Sequence, residues 1–218
     1  MNNSTKGRPW AALAALLVGG CSPSDQFWKK PDVGEKFTVL DAALMQPAIV
    51  RNLDLYGRDL QGFPEQTFTL TNLERLGLRK NAIRTVPDGI AALTKVYFVD
   101  LGEAGLTNIP AAFGRLPALT TLYLNDNALT VIPAGLGDAA KLMYLNLDRN
   151  KLTALPPDLG KLSSLKWLRL NGNQLTALPS DVSGWTQNLK RLYLKGNPLP
   201  ESEKDRIRKA LPKCDVIF

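Results

Sequence analysis

Seven residues of this chain could grip a partner: Phe98, Tyr123, Tyr144, Trp167, Arg169, Arg191 and Tyr193. Tyrosine, tryptophan and arginine combine broad contact area with hydrogen-bond donors, and they are enriched where binding energy concentrates. The chemistry they could do is non-covalent capture of a protein or peptide. An aromatic row could also hold a glycan or a peptidoglycan fragment. The competing use is internal, because aromatic residues favour strands and stack across neighbours with no ligand present.

Other chemistries find little to work with. The chain has no histidine, which removes Ser-His-Asp and Cys-His nucleophiles and histidine-ligated metals. Asp100 and Glu103 are close enough in sequence to suggest acid–base work or a metal, but surface charge is the default reading. Gly135-Leu-Gly-Asp-Ala-Ala140 has the spacing of a dinucleotide loop without the strand–helix–strand context that loop requires. No metal, no cofactor and no enzymatic activity are expected. The net charge is +7, and loss of Lys6 and Arg8 with a cleaved leader would take it to +5. No basic run or RNA-binding motif accompanies it, so nucleic acid is not an expected partner. Of the two cysteines, Cys21 and Cys214, the first is expected to be consumed at the amino terminus. Cys214 then reads as a small buried hydrophobe rather than half of a disulfide.

The elements that must position these side chains come from one repeated segment. Leu142-Met-Tyr-Leu-Asn-Leu-Asp-Arg-Asn150-Lys-Leu-Thr-Ala-Leu-Pro156 is its clearest copy. Copies start at Val50, Leu73, Val96, Leu119, Leu142 and Leu165, 23 residues apart, and at Leu189 after a step of 24. The pattern L-x-x-L-x-L-x-x-N-x-L at this period signals a leucine-rich repeat solenoid. Leu145 and Leu147 flank a polar residue, so both point to one side of a short strand. No coil can bury its leucines alone. Stacked coils can, with strands pairing in parallel.

The residues between the core leucines then form rows on the concave face. Asn52, Arg75, Phe98, Thr121, Tyr144, Trp167 and Arg191 make one row, and Asp54, Gly77, Asp100, Tyr123, Asn146, Arg169 and Tyr193 the next. Tyr56, Arg79, Gly102, Asn125, Asp148, Asn171 and Lys195 make a third. Asn81, Asn127, Asn150, Asn173 and Asn197 fall where the chain leaves the strand, and a buried amide there can satisfy backbone groups of two coils. Arg58 and Ala104 take that slot in two copies, where water or backbone must substitute. Pro64, Pro87, Pro110, Pro133, Pro156 and Pro179 argue for an irregular or 3₁₀ return segment rather than long helices. The extra residue of the sixth copy, near Ser183 to Asn188, predicts a convex bulge carrying Trp185.

These repeats resemble those of bacterial leucine-rich repeat proteins of the 23-residue, Leu-Pro-containing type. The resemblance implies an α/β-type right-handed solenoid with a parallel concave sheet of about seven short strands, capped at both ends by short helices. It also implies an interaction scaffold, monomeric, that binds protein or peptide on its concave face. Residues 49–199 are assigned to the repeats. Residues 37–48 resemble the family's amino-terminal cap. Thr38-Val-Leu-Asp41 has the form of a capping box, with a helix to about Met45 and Val39, Leu40, Ala43 and Leu44 over the first coil. Residues 200–218 resemble the carboxyl-terminal cap, with Pro200 opening a helix, Ile207 and Leu211 on one face, and a last strand at 215–218.

Residues 1–20 read as a basic then apolar secretory leader, too short to span a bilayer. Leu17-Val18-Gly19-Gly20-Cys21 resembles a lipoprotein lipobox, which implies acylation of Cys21 and anchoring of residues 21–36 as a tether in the cell envelope. Ser22 after the cysteine favours the outer membrane in a Gram-negative host. If the leader is unused, a cytoplasmic interaction protein is the remaining alternative.

Overall fold

The computed structural model describes residues 34–218. The leader, the tether as far as residue 33 and Cys21 lie outside the described residues. Among the described residues, no helix is long and apolar enough to cross a membrane.

Seven repeat strands follow one another: β2 Asn52–Asp54, β3 Arg75–Gly77, β4 Phe98–Asp100, β5 Thr121–Tyr123, β6 Tyr144–Asn146, β7 Trp167–Arg169 and β8 Arg191–Tyr193. Two more come from the ends, β1 Lys36–Phe37 and β9 Asp215–Ile217. All nine form one parallel sheet in chain order. The register is set by the repeat itself: Leu53, Leu76, Val99, Leu122, Leu145, Leu168 and Leu192 lie side by side. All seven are fully buried, and each such side chain contributes about 1.5–3 kcal/mol relative to exposure.

Each strand ends in the same backbone turn. Gly57, Lys80, Glu103, Asp126, Arg149, Gly172 and Gly196, the residues just before the asparagine slot, all have positive φ, between 52° and 75°. The four that are not glycine pay for the left-handed turn, and the asparagine beside it supplies the compensation. Asn81 donates to the carbonyls of Leu55 and Leu78 and accepts from the amides of Arg58 and Leu60. Asn127 repeats this on Leu101, Leu124, Ala104 and Leu106. Each amide thus ties its own coil to the one before it. At Ala104 the side chain cannot do so and the ladder is interrupted; beside the gap Arg84 adopts φ +62° and its amide donates to the Ala104 carbonyl at 3.1 Å.

The return segments are 3₁₀ turns at Glu65–Thr69, Asp88–Ala92, Ala111–Arg115, Ala134–Asp138 and Pro157–Lys161. The recurrent prolines 64, 87, 110, 133 and 156 stand at their amino-terminal boundaries. Glycines let these turns approach one another. A Cβ on Gly114 would lie 1.7 Å from the Gly135 carbonyl oxygen, and one on Gly137 would lie 2.5 Å from that of Asp158. The Gly135-Leu-Gly spacing therefore serves packing between coils. The sixth return differs from expectation. Ser183–Trp185 is a short 3₁₀ turn, and Trp185 faces the core, fully buried, instead of riding on a bulge. Burying a large ring outweighs exposing it, and its indole N–H is satisfied by the Leu159 carbonyl at 2.9 Å.

The ends close the stack. In the amino-terminal cap, α1 spans Leu40–Leu44. The expected capping box does not form: Val39 is the N-cap and no side chain caps the helix. Aspartate is shorter than the glutamate this motif normally uses to reach back. Ala43 is buried and Leu40 and Leu44 pack on the core, but Val39 is 52% exposed rather than part of the cover. The assigned tether also ends too late, since Lys36 already belongs to β1 and pairs with Asp54 at 2.7 Å. In the carboxyl-terminal cap, α2 runs Glu201–Ala210 after Pro200, with Ile207 and Leu211 buried. Cys214 is half-buried, and burial pushes its thiol up to about 12.

Candidate functional site

The middle residue of each strand is the core leucine or valine, so its two neighbours stand on the open face of the sheet, away from the core. That places all seven expected residues on this face. Phe98, Tyr144, Trp167 and Arg191 stand in one register row with Thr121, and Tyr123, Arg169 and Tyr193 in the next with Asn146. Parallel strands lie about 4.8 Å apart, less than the width of an aromatic ring with its contacts, so the rings lean on one another.

They form one ribbon. The Arg75 guanidinium sits 3.9 Å over the Phe98 ring. Phe98 and Tyr123 centroids are 5.6 Å apart, Tyr123 and Tyr144 4.9 Å, and Tyr144 meets Trp167 edge-on at 6.0 Å. Further along, Arg169 lies 4.8 Å over the Tyr193 ring, and Arg191 donates to the Tyr193 hydroxyl at 3.4 Å. Burial pushes the Tyr144 phenol up to about 12 and raises Tyr123 as well.

This packing divides the expected site. Phe98 and Tyr144 keep only 9% and 8% of their surface, so in the middle of the sheet the rings mostly bind each other. Tyr123, Trp167, Arg191 and Tyr193 remain partly exposed, whereas the Arg169 side chain, held by Asp148, keeps only 12% of its surface. Sequence reasoning put Lys195 in the third row but left it out of the expected site, and it missed the lysines just before the strands. Lys166 and Lys190 stand one position before the rows, and Lys195 is exposed beside half-buried Asn171. The step of 24 from Lys166 to Lys190, matching that between their coils, was the available signal.

The amino-terminal half of the open face is an ion network. Arg79 is buried and bonds Glu103, with Asp126 at 3.9 Å. Arg149 makes a two-pronged bond to Asp126, one arm 2.7 Å. Burial opposes ionisation of Asp126, yet hydrogen bonds from Arg149 and Asn125 hold its carboxyl below the usual range. Gly102 makes room for Arg79, since a Cβ there would come within 2.6 Å of the guanidinium. Asp100 is buried beside it, and desolvation pushes its carboxyl up to about 6 despite a 2.9 Å hydrogen bond from the Gly102 amide. Asp100 and Glu103 therefore serve this network. Among the described residues, no three His, Cys, Asp or Glu side chains are grouped to hold a metal ion. On β6 and β7, Asp148 is buried, accepting from Arg169 at 2.6 Å and from the Asn171 amide at 2.7 Å. What the open face offers is a shaped surface of rings and charges.

Comparison with known proteins agrees with this architecture. The leucine rich repeat family model matches residues 94–152 and 140–199. A leucine-rich repeat protein of Leptospira interrogans is 30% identical, with a TM-score of 0.53 over 84% of this chain and 58% of its own. An internalin of Listeria monocytogenes shares the fold at 20% identity and a TM-score of 0.71, over 84% of this chain and 52% of its own. The third is the leucine-rich repeat ectodomain of the Arabidopsis thaliana receptor kinase GASSHO1/SCHENGEN3, solved in complex with Casparian strip integrity factor 2. It is 26% identical with a TM-score of 0.63, over 77% of this chain and 23% of its own. The chain thus spans less than two thirds of the length of each. No curated protein matches its sequence. With its period, its asparagine ladder and its parallel stack of coils, the chain has the leucine-rich repeat fold, and its residues 94–199 match the leucine rich repeat family model.

Proposed function

We propose that this protein is a non-enzymatic scaffold that binds a protein or peptide on the open face of its sheet, at the carboxyl-terminal end. The observation that carries the reading is the uneven ribbon. Phe98 and Tyr144 are buried against their neighbours, and beyond them Trp167, Arg191 and Tyr193 stay partly exposed on adjacent strands. Rigid rings and forked guanidinium groups lose little entropy when they dock, and so make efficient contacts. The family's general use as an interaction scaffold supports the same reading, as does the neighbour solved with a bound factor. The protein acts as a monomer on this view.

A photo-crosslinking amino acid placed at Lys195 should capture a discrete partner in intact cells, whereas one at Arg115, exposed in a 3₁₀ return, should not. Capture from Arg115 alone would overturn the reading.

The proposal includes location. Cys21 is acylated and holds the chain in the cell envelope, at the outer membrane in a Gram-negative host. More than one acyl chain is needed for stable anchoring, at about 0.8 kcal/mol per buried CH₂. Metabolic labelling with a fatty acid should mark the wild type and not Cys21→Ala. An unlabelled wild type would remove the envelope from the proposal and leave the binding face untouched.

A further inference from the structure

We infer that Asp100 is a proton switch set into the open face: in mildly acid surroundings its carboxyl takes up a proton and donates it to the side-chain oxygen of Asn125, tying the third coil to the fourth. The inference stands apart from the partner-binding reading above.

The argument begins with a buried acid that has few partners. Asp100 stands on β4 between Gly77 and Tyr123 in register, and only 6% of its surface is exposed. A carboxylate can accept about four hydrogen bonds. Among the described residues this one accepts a single bond, from the Gly102 amide at 2.9 Å. The carboxylates around it each hold a cation: Lys36 at Asp54, Arg79 at Glu103, Arg149 at Asp126. Asp100 is in no ion pair among the described residues, because Arg79 is turned to Glu103 and Asp126 instead. A buried carboxylate without a paired cation tends to neutralise itself by taking a proton.

The second observation is an oxygen that needs a donor. Asn125 is 1% exposed and gives its amide nitrogen to Asp126. Among the described residues nothing donates to its side-chain oxygen. That oxygen and Asp100 Oδ1 each lie 3.2 Å from one point, the place a Cβ on Gly102 would take. Two acceptors thus converge, and a proton on the carboxyl turns their repulsion into a hydrogen bond. Burial works in the same direction. Desolvation pushes the carboxyl up to about 6, with the charges of Asp54 and Glu103 adding and the Gly102 amide and Arg79 opposing. The other groups that face it keep their charge state over this range. Tyr123, across from it on β5, is raised by burial and stays neutral. Asp126 is held low by Arg149 and Asn125 and stays charged, as do Arg79, Arg149 and Lys80.

The direction of the effect follows. The folded chain holds this proton more tightly than the unfolded chain, whose ordinary value is 3.8, so stability rises as pH falls through about 6. The chain has no histidine, the side chain that ordinarily titrates between about pH 5 and 8. Acids with depressed values act in the opposite sense but lower down, since Asp126 and Glu203 start from ordinary values of 3.8 and 4.5.

The test titrates the full chain, carrying carbon-13-labelled aspartate, by NMR and follows its melting temperature over the same range. The wild type should show one carboxyl with a midpoint near 6, absent from Asp100→Asn. Between about pH 7.5 and 5 the wild type should gain roughly 3–5 °C relative to that variant, as about one pH unit of proton binding is realised. Asn125→Leu separates the hydrogen bond from burial. Leucine keeps the site dry, so burial alone would hold the midpoint or raise it, whereas loss of the acceptor should lower it by about half a unit or more. A wild-type midpoint near the ordinary 3.8, or an equal pH response in Asp100→Asn, would overturn the switch. A midpoint unmoved or raised in Asn125→Leu would overturn the bond it makes. A midpoint near 6 that falls in Asn125→Leu supports both.

Discussion

Replacing Trp185 with alanine is expected to lower the unfolding free energy by about 3–5 kcal/mol, as deletion of a large buried ring does. For a domain of this size that is a fall in melting temperature of roughly 6–20 °C. Trp185 is the largest fully buried side chain among the described residues, and its loss opens a cavity between two coils. It also strands the Leu159 carbonyl, which accepts the indole N–H at 2.9 Å. Trp185→Phe separates the two effects. It keeps most of the volume and forfeits the hydrogen bond, so it should cost about 1–3 kcal/mol. Calorimetry and denaturant titration would measure both. A change of less than about 1 kcal/mol in Trp185→Ala would mean that the ring contributes no core packing, because truncation of a buried ring costs several times that.

The second large effect comes from adding a single methyl group. Gly114→Ala should destabilise by about 3 kcal/mol or more, at or above the upper end of ordinary overpacking. The new Cβ would stand 1.7 Å from the Gly135 carbonyl oxygen. Backbone cannot rotate aside as a side chain can, so two returns must move apart and loosen the core beneath them. Gly62→Ala is the control. It has no atom within 4 Å and no positive φ, and should stay within about 0.5 kcal/mol of wild type, as surface substitutions do. Thermal melts of the two variants give the comparison, and equal melting temperatures would contradict the close-approach argument.

These two residues mark where the sequence stopped being readable. Periodicity reported the strands, their register and the rows of the open face, because each depends on one coil and its identical neighbour. It reported the asparagine ladder for the same reason, and the gap in that ladder at Ala104. It did not report contacts unique to one pair of coils. Trp185 looked like a bulge because an extra residue lengthens the return, and nothing in the local pattern says which way the ring will turn. The spacing of Gly135 and Gly137 resembled a phosphate loop, whereas their role is set by the coils on either side. The placement of the candidate residues was legible to the same degree. All seven residues reached the expected face, but the burial of Phe98 and Tyr144 depends on how neighbouring rings lean. Strand β1 was missed because two residues carry no period.

The Trp185 turn has a consequence beyond its own stability. A chain built from near-copies faces a problem of address, since any coil could settle against any other and leave the leucines equally satisfied. A returning segment that holds an indole needs a particular gap, and the gap exists where Gly160 and Gly184 let the backbones close in. A misthreaded stack, shifted by one unit, would press that ring against a neighbour with no room for it. The odd coil thus acts as a key among interchangeable ones, and tells the rest of the molecule where it stands.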